Sequence, residues 1–414
     1  MRSKTFFSRL RVTTAFNLLL VLAVFLFVFA TDSVQAQTYT ILHTFKGGND
    51  GAGPTGGLLR DAKGDLYGTT SGGGGYSYKG TVFRLSAGDK ETILYSFLDA
   101  YGANPMAGLA SDGHGTFYGT TMYGGAYGQG TVFKLDAKRN ESVLHSFTGG
   151  DGAWPETALV RDKDSNLYGT TFGGGNSYCE YGCGTLFKVS KTGRTTQLYE
   201  FTFGADGYWP QGVALDKAGN LYGFAIWGGD LQCLHGYGCG TVFKVDTAGH
   251  FTVLYAFTLT GGDAGGPSGA PVLDGSGNLY GVAGGGIAGY GTVFKLDPNG
   301  NETVLYNFAG PPGDGMYPNS LSRDTKGNLY GTTYDGGSSF GSSSCPYGCG
   351  IVFMLDSTGK ETVLHNFTGA NGDGAYPSGG LVLDPSGNLI GATGSGGNFN
   401  NCYQGCGILF KIAP

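Results

Sequence analysis

The sequence is poor in charge, with Asp, Glu, Lys and Arg making up 14% of its 414 residues, whereas globular domains average about 25%. Its formal net charge is −6, and no segment gathers Lys and Arg into a basic stripe. Clustered basic side chains are what bind nucleic acids and anionic membranes, so neither is expected as a partner. Helical periodicity is also absent from the sequence, which excludes a helical repeat protein.

Long apolar runs are lacking except at the N-terminus. Four basic residues precede an apolar run from Ala15 to Ala30, and the small residues Val34 and Ala36 follow it. This pattern predicts a secretory signal, residues 1–36, cleaved after Ala36. An uncleaved membrane anchor is the alternative, because the run approaches the ~20 residues that a span requires. Without the signal, Lys plus Arg falls from 25 to 21 and Asp plus Glu from 31 to 30, a net charge of −9. We therefore expect residues 37–414 to form an extracellular or periplasmic protein with no membrane span.

Glycine is abundant, with 81 residues, and it alternates with Val, Phe, Tyr and Leu in strand-like runs. This alternation favours turn-rich β structure over disorder. A module of about fifty residues recurs along the chain, each copy reading N-L-Y-G-T-T, then G-T-V-F-K-L, then T-V-L-Y-x-F. The G-T-V-F-K-L elements begin at Gly80, Gly130, Gly184, Gly240, Gly291, Gly350 and Gly407. Repeats of this period are typical of propellers, solenoids and arrays.

Each module contains four short strands separated by turn residues. In the second module they are predicted at Pro105–Ala110, Thr116–Thr121, Thr131–Leu135 and Ser142–Phe147. Four strands in each of seven modules predict an all-β fold, a seven-bladed β-propeller. The segment Tyr39–Phe45 copies the strand that ends each module, and the last module lacks that strand. We therefore expect the N-terminal strand to complete the last blade, which removes an open sheet edge.

These elements, together with G-G-x-D-G-x-x-P between modules, resemble the choice-of-anchor tandem repeat family called GloVer. The resemblance covers essentially all of residues 37–414. It implies an extracellular bacterial repeat protein, and no biochemical activity is established for that family. The strand order is also similar to that of NHL and streptogramin-lyase-like propellers, which share a proline-led inner strand and a D-x-x-G-N turn.

All eight cysteines fall into local pairs just before the third strand of a blade. The pairs are Cys179 with Cys183, Cys233 with Cys239, Cys345 with Cys349, and Cys402 with Cys406. Disulfide bonds that close long exposed loops are typical of proteins in an oxidising compartment, so we expect these pairs to form four disulfides. A metal site would need four converging ligands. The pairs belong to separate blades and only His235 is near one of them, so neither a metal nor a cofactor is predicted.

Propeller geometry places the loops between second and third strands on the same face as the connections between blades. Both kinds of loop are long and variable here, and binding sites concentrate on such loops. Aromatic residues precede the inner-strand proline or lie in the adjacent loops, and flat aromatic rings suit sugar rings. Packing against the next blade is the alternative role. The candidate ligand-binding residues are Trp154, Trp209, Trp227, Tyr317, Tyr376, Tyr123 and His235.

The same face carries aspartates in G-x-D-G-like contexts, such as Asp151 and Asp373. A ring of carboxylates is one way to bind calcium, but one Asp per blade in a turn sequence is more simply an Asx-turn. The sequence contains no catalytic motif, and His235 is the single histidine placed for acid–base chemistry.

Three functions are consistent with these features. The first is a secreted, monomeric propeller that binds an extracellular glycan, such as a polysaccharide, or a surface protein on the face with the long loops. The second is a lyase or hydrolase that acts on a polysaccharide or a lactone through His235. The third is a structural or adhesive component of the cell envelope.

Overall fold

The computed structural model describes residues 37–75 and 79–413. Within these ranges, twenty-nine strands form seven antiparallel sheets. Each sheet is one blade, and successive blades contact one another around a closed ring, so the all-β seven-bladed propeller predicted from the repeat is confirmed. The predicted signal segment lies outside the described residues.

The first strand of the chain belongs to the last blade, and the following strands build the blades in order. The N-terminal strand is β1 (Thr38–Thr44). Blade 1 contains β2 (Leu59–Arg60), β3 (Leu66–Thr70), β4 (Thr81–Leu85) and β5 (Glu91–Ser96). Blade 2 contains β6 (Ala110–Ser111), β7 (Phe117–Thr121), β8 (Thr131–Leu135) and β9 (Glu141–Ser146). Blade 3 contains β10 (Val160–Arg161), β11 (Leu167–Thr171), β12 (Thr185–Val189) and β13 (Thr195–Glu200).

The remaining blades follow the same order; the inner strands of blades 4, 5 and 6 are longer, and that of blade 7 is split into two strands that both pair with the next one. Blade 4 contains β14 (Tyr208–Leu215), β15 (Leu221–Trp227), β16 (Thr241–Val245) and β17 (Phe251–Ala256). Blade 5 contains β18 (Pro267–Leu273), β19 (Leu279–Ala283), β20 (Thr292–Leu296) and β21 (Glu302–Asn307). Blade 6 contains β22 (Gly315–Arg323), β23 (Leu329–Gly336), β24 (Ile351–Leu355) and β25 (Glu361–Asn366). Blade 7 contains β26 (Gly374–Pro377), β27 (Val382–Leu383), β28 (Leu389–Gly396) and β29 (Ile408–Ala413). Two short 3-10 turns are Gly48–Asp50 and Cys233–Gly236.

The N-terminal strand closes the ring. Strand β1 pairs with β29 as the outermost strand of blade 7, and the N–H of Phe45 donates a hydrogen bond of 3.0 Å to the carbonyl of Gly407. The predicted closure is therefore confirmed. With β1 as its outermost strand, the last blade is four strands wide from the inner to the outer edge, like the other blades.

The inner strands are shorter than the sequence predicts in the first three blades. In blade 2 the predicted Pro105–Ala110 strand reduces to Ala110–Ser111. Proline has no N–H to donate to the ladder, and the residue before it, Asn104, has a left-handed φ of 57°. The ladder reappears before them as a single bridge between Ala103 and Tyr123. The left-handed residue and the proline do not by themselves end a strand, because blade 4 keeps Trp209 and Pro210 inside β14.

The core of each junction between blades is a pair of phenylalanines. The Phe that follows the outer strand of one blade packs edge-to-face on the Phe of the G-T-V-F element in the next blade, with ring centroids 4.9 to 5.3 Å apart. Such pairs contribute about 0.5–1.5 kcal/mol beyond their burial. The seven pairs are Phe45–Phe83, Phe97–Phe133, Phe147–Phe187, Phe201–Phe243, Phe257–Phe294, Phe308–Phe353 and Phe367–Phe410.

A glycine and a proline complete each junction, as between blades 4 and 5. Gly240 has a φ of 96°, and a Cβ added to it would stand 2.5 Å from Cδ of Pro267 and 2.6 Å from the carbonyl oxygen of Ala225. Only glycine combines this backbone conformation with the available space. This close approach explains why each module keeps both the glycine of G-T-V-F and the proline before the inner strand.

The turns on the face opposite the long loops are held by aspartate, as predicted for Asp-x-x-Gly-Asn. In blade 4, Oδ1 of Asp216 accepts hydrogen bonds from the N–H groups of Ala218 and Asn220, both 2.9 Å long. Oδ2 accepts a further bond from Nδ2 of Asn220 at 2.7 Å. Burial opposes ionisation of Asp216, but these hydrogen bonds outweigh it and lower the pKa of the carboxyl. The turn aspartates are structural.

Candidate functional site

One backbone position on the face with the long loops is left-handed in every blade. It is the residue immediately before the inner-strand proline, with φ between 55° and 65°. Its N–H donates a hydrogen bond to a carbonyl of the preceding blade, as from Trp209 to Cys183 at 2.9 Å. The seven residues are Gly53, Asn104, Trp154, Trp209, Gly266, Tyr317 and Tyr376.

Four of the seven residues at this position have bulky side chains, which a left-handed backbone disfavours. Gly and Asn adopt left-handed φ readily, whereas a bulky residue there costs roughly 1–2 kcal/mol. Blades 1, 2 and 5 use Gly or Asn, so the junction forms without an aromatic ring. Four blades nevertheless carry Trp or Tyr at this strained position. Strain of this kind concentrates at functional sites, which makes the four aromatic residues candidates for ligand contact.

A cleft of about 510 Å³ lies at the loop face between blades 3 and 4. Three of the predicted ligand-binding residues, Trp209, Trp227 and His235, meet in it. Aromatic side chains dominate its walls, and its size falls within the usual range of small-molecule sites, about 300–1,000 Å³. It is lined by Tyr178, Cys179, Glu180, Phe203, Tyr208, Trp209, Trp227, Leu234, His235 and Tyr237.

Strand pairing positions the floor of this cleft. Tyr208 and Trp227 are register partners across β14 and β15, so their side chains leave the same face of the sheet. Trp209 stacks on Phe172 of blade 3, with ring centroids 4.7 Å apart and planes at 27°. Its Nε1 donates a hydrogen bond of 3.2 Å to the carbonyl of Gly182. The Trp209 ring is therefore fixed before any ligand arrives.

Two disulfide-closed loops form the walls. The Cys179–Cys183 loop supplies Glu180, and the Cys233–Cys239 loop supplies Leu234, His235 and Tyr237. Their Cα–Cα distances are 5.0 and 5.7 Å, within the range for disulfides. The four predicted disulfides are confirmed, and the other two are Cys345–Cys349 and Cys402–Cys406.

The walls present apolar and polar groups together. Tyr178 is 81% exposed and Tyr237 is 60% exposed, so both rings are open to a ligand. Burial, helped by the neighbouring Tyr237, raises the pKa of Tyr208 to about 12. Its hydroxyl therefore stays protonated at neutral pH and is able both to donate and to accept a hydrogen bond.

The other predicted site residues lie elsewhere on the loop face. Trp154 lines a smaller depression of about 330 Å³, which shares Cys179 and Glu180 with the cleft. Tyr123 is in blade 2 and is 42% exposed. Tyr317 belongs to blade 6 and Tyr376 to blade 7, and neither lines the cleft. The predicted residues are thus spread over several blades, and three of them meet in the cleft.

Three aromatic residues of the cleft, Tyr208, Phe203 and Tyr178, were not predicted from the sequence. For Tyr208, a comparison of the seven repeats would have indicated it. The position of Tyr208 holds a small or apolar residue in the other blades, including Ala52, Ala103, Ala153 and Ala375. Phe203 and Tyr178 lie in loops whose lengths differ between blades, so their positions could not be inferred from the module.

The loop aspartates hold their own loops, but their hydrogen bonds run back to an earlier threonine rather than forward as in the predicted Asx-turn. Asp151 accepts hydrogen bonds of 2.8 Å from both the N–H and the hydroxyl of Thr148, and its other oxygen faces Nε2 of His145 at 2.8 Å. Asp373 makes the equivalent contacts with Thr368. In the part of the chain that the structure describes, no group of His, Cys, Asp and Glu is arranged to hold a metal ion.

A larger cavity, about 660 Å³, lies on the opposite face between the turns of blades 3 and 4. Its carboxylates include Asp162 and Asp216, which are occupied by their own turns. Asp246 likewise accepts hydrogen bonds from His250. We therefore place the candidate site in the smaller aromatic cleft, whose side chains are not committed to holding a turn.

The sequence matches the family model described as Gloeobacter/Verrucomicrobia repeat over residues 27–179, 160–344 and 234–414. No curated protein matches it. Across the described ranges 37–75 and 79–413, no helix has the length and apolarity to cross a membrane.

Similar solved structures share the propeller fold. Streptogramin B lyase superposes with a TM-score of 0.58 at 12% identity, covering 91% of this chain and 97% of that one. The extracellular domain of a protein described as a one-component system from B. thetaiotaomicron has a TM-score of 0.54 at 15% identity. That match covers 91% of this chain and 41% of the other. At these identities the likeness concerns the fold alone.

Proposed function

Because the chain belongs to the Gloeobacter/Verrucomicrobia repeat family, whose repeats build equivalent blades here, we propose that its function lies where the blades differ. The main difference is the aromatic cleft between blades 3 and 4. We infer that the protein is an extracellular glycan-binding propeller and that this cleft receives sugar rings of a polysaccharide. The proposal depends on one observation: Trp209, Trp227 and Tyr208 line the same cleft, together with polar side chains.

The chemistry of the cleft supports a sugar. A pyranose ring has apolar faces that stack on indole and phenol rings, and hydroxyls that need hydrogen-bond partners. Glu180 and His235 supply such partners on the walls. The indole of Trp209 is held by Phe172 and by the Gly182 carbonyl, so little side-chain entropy is lost on binding.

An extracellular location is supported by two observations. Disulfides persist in oxidising compartments and are rare in the cytosol, and the described residues contain four. A structurally similar propeller is an extracellular domain. The N-terminal segment predicted to be a signal adds a third, sequence-based argument.

Binding of the purified protein to a panel of soluble and insoluble polysaccharides, with variants, tests the proposal. Trp209→Asn removes the indole but keeps a residue that occupies the same position in blade 2, and Trp227→Gly uses the residue found there in blades 1, 3 and 5. Each should weaken binding of the hit by ~30-fold or more, as expected for a buried aromatic anchor.

Tyr123→Gly is the matched control, because Tyr123 occupies the Trp227 position in blade 2 and lies outside the cleft. It should bind normally. Folding of each variant is checked by its thermal melting curve. Normal binding by folded Trp209→Asn and Trp227→Gly proteins would remove the cleft from the function. No binding to any polysaccharide would favour a surface-protein partner or a structural role in the envelope.

A lyase or hydrolase acting on a polysaccharide or a lactone is the second candidate. It rests on His235 and Glu180 lining the same cleft, where an imidazole and a carboxylate could exchange protons with a bound sugar. Product analysis of each panel hit distinguishes it from a binding protein. His235 has a left-handed φ of 59°, so His235→Asn suits that backbone. Turnover that disappears in this variant, with binding retained, would establish the enzyme.

A further inference from the structure

The repeat position of Trp227 carries an acidic residue in blade 6. Across the seven blades this position holds Gly72, Tyr123, Gly173, Trp227, Gly285, Asp335 and Ser395. The preceding residue in the same strand is Tyr334, which is 47% exposed. Since Gly serves in three blades, the fold does not require a carboxylate at position 335.

Asp335 is buried and has no partner. It is 9% exposed, and its carboxylate makes no hydrogen bond or ion pair with any residue that the structure describes. Burial alone raises the pKa of this carboxyl to about 6. Asp314 in the same blade is different, because its oxygens accept hydrogen bonds from the hydroxyl of Tyr306 and the N–H of Gly315.

Three tyrosines lie on the strands around Asp335 at the junction of blades 6 and 7. Tyr334 and Tyr376 stack with ring centroids 4.9 Å apart and planes at 23°. Asp335 directly follows Tyr334 on β23, and β23 contacts β26, the strand that contains Tyr376. Burial, and then the charge of Asp335, raise the pKa of both hydroxyls, which agrees with this placement. Tyr317 lies on β22 between Met316, the register partner of Asp335, and Pro318, and it is 47% exposed.

The surroundings supply no positive charge to the carboxylate. Between residues 327 and 410 the sequence contains one Lys or Arg, Lys360, and its N–H is part of the Asp356 turn on the opposite face. His365 is paired with Asp373 on the outer strand. A buried carboxylate without a partner is costly, and the faces of nearby aromatic rings attract cations. The Asp335 carboxylate and the tyrosine rings are thus suited to bind a ligand's ammonium group.

We propose that Asp335, Tyr334 and Tyr376 form a second binding site, for a protonated amine carried on a sugar ring, as in glucosamine-containing glycans. The stacked tyrosines receive the face of the sugar ring, and the ammonium donates a hydrogen bond to the Asp335 carboxylate. The site is separate from the cleft between blades 3 and 4 and does not depend on it. A sugar is favoured over a simple amine because aromatic faces stack on sugar rings, and Tyr334 and Tyr317 are each 47% exposed.

Direct binding measurements test this site. Calorimetry compares the purified protein with oligomers of glucosamine, N-acetylglucosamine and glucose of equal length. Glucosamine oligomers should bind about tenfold or more tightly than the other two, since a charge-assisted hydrogen bond is lost when the amine is acetylated or absent. Asp335→Asn should remove that preference while leaving binding of the other two oligomers unchanged.

Further variants separate this site from the cleft and from folding defects. Asp335→Ser carries the residue of blade 7 and should behave like Asp335→Asn, and Tyr334→Gly carries that of blades 5 and 7 and should weaken glucosamine binding. Trp227→Gly, in the cleft, should keep the preference for the amine. Equal binding of acetylated and free oligomers, or an unchanged preference in folded Asp335→Asn protein, would overturn the proposal. Competition by methylamine at the same concentration as the sugar would overturn its sugar component.

Discussion

Phe45 packs edge-to-face on Phe83, with ring centroids 5.2 Å apart, and this contact joins the last blade to the first. Both residues are fully buried. The geometry matches that of Phe201 on Phe243 between blades 3 and 4, where the outer strand follows the rest of its own blade along the chain. The closing junction is therefore built like any other junction, although β1, which carries Phe45 at its end, is held in the last blade by pairing with β29 from the other end of the sequence.

Removing this contact should open the ring. We expect Phe45→Ala to lower the free energy of unfolding by about 3–5 kcal/mol, the usual cost of a buried Phe→Ala change. Ile41→Ala is the control on the same strand, because Ile41 is 37% exposed and should cost far less. Chemical denaturation measures both. A truncated chain that begins after Phe45 and melts like the intact one would contradict the closure.

The junction glycines should tolerate no side chain. Gly240→Ala adds a Cβ that overlaps Pro267 and Ala225, whereas Gly249→Ala, with a similar φ of 92°, meets nothing within 4 Å. The left-handed conformation should cost each variant about 1 kcal/mol. We expect Gly240→Ala to lose a further ~1–3 kcal/mol from overpacking. Equal unfolding free energies for the two variants would show that the contact with Pro267 is unimportant.

The strain at Trp209 should be measurable. Trp209→Ala and Trp209→Gly both remove the indole and its stacking on Phe172, but only glycine relaxes at a φ of 55°. The glycine variant should therefore be more stable than the alanine variant by about 1 kcal/mol. Urea titrations of the two proteins provide the comparison. A more stable alanine variant would mean that the left-handed backbone is not strained.

Stability should fall as the pH rises from about 4.5 to 7. Burial raises the pKa of a glutamate that opens the outer strand in four blades from 4.5 to about 7. The folded state favours the protonated form, so this contribution is complete below pH 4.5 and is lost as the pH passes through 7. The four residues are Glu91, Glu141, Glu302 and Glu361.

Urea titrations from pH 4 to 8 measure this dependence. Blade 3 has Thr195 at the same position, so replacing the four glutamates by Thr should flatten the profile. Below pH 4.5 the dependence reverses, and stability falls as the pH falls. Hydrogen bonds and nearby histidines lower the pKa of Asp50, Asp151 and Asp373 despite their burial, so their contribution is lost as the pH falls below 3.8. Stability that increases from pH 5 to 7 would contradict this account.

The disulfides should matter more for the cleft than for the ring. Replacing Cys233 and Cys239 by Ser should cost roughly 2 kcal/mol at most, because the closed loop is short, yet it frees the wall that carries His235. We expect glycan binding in the cleft to weaken severalfold. The same change at Cys345 and Cys349, in blade 6, is the control and should leave that binding unchanged. Equal effects of the two changes would argue against a role for the loop in binding.

Much of the fold could be predicted from the sequence because it repeats. The module fixed the number of blades, the closing strand and the disulfide pairs, since each depends on spacing along the chain. The extent of the inner strands could not be read in this way. The residue before the proline is left-handed in every blade, yet the ladder continues through it in blade 4, where Trp209 lies inside β14, and not in blade 2.

The candidate site was predictable only in part. The sequence indicated aromatic residues on the loop face as candidates, but it did not show that Trp209, Trp227 and His235 meet in one cleft while Tyr123 lies outside it. Which residues meet depends on the length and path of two disulfide-closed loops. Asp335 was not recognised, because a single acidic residue has meaning only once its burial and its tyrosine neighbours are known.

The pairing of β1 with β29 leaves this array without an end unit. In an open row of repeats the outer two have one neighbour each and fray first. Here every blade has a neighbour on both sides, so no unit is able to detach while the others keep all their contacts. When any one junction breaks, the closed ring becomes an open row, and the two blades at its ends each keep only one neighbour. Cooperative, all-or-none unfolding is the consequence, and it keeps the strands that carry Trp209, Trp227 and Asp335 in place until the whole ring unfolds.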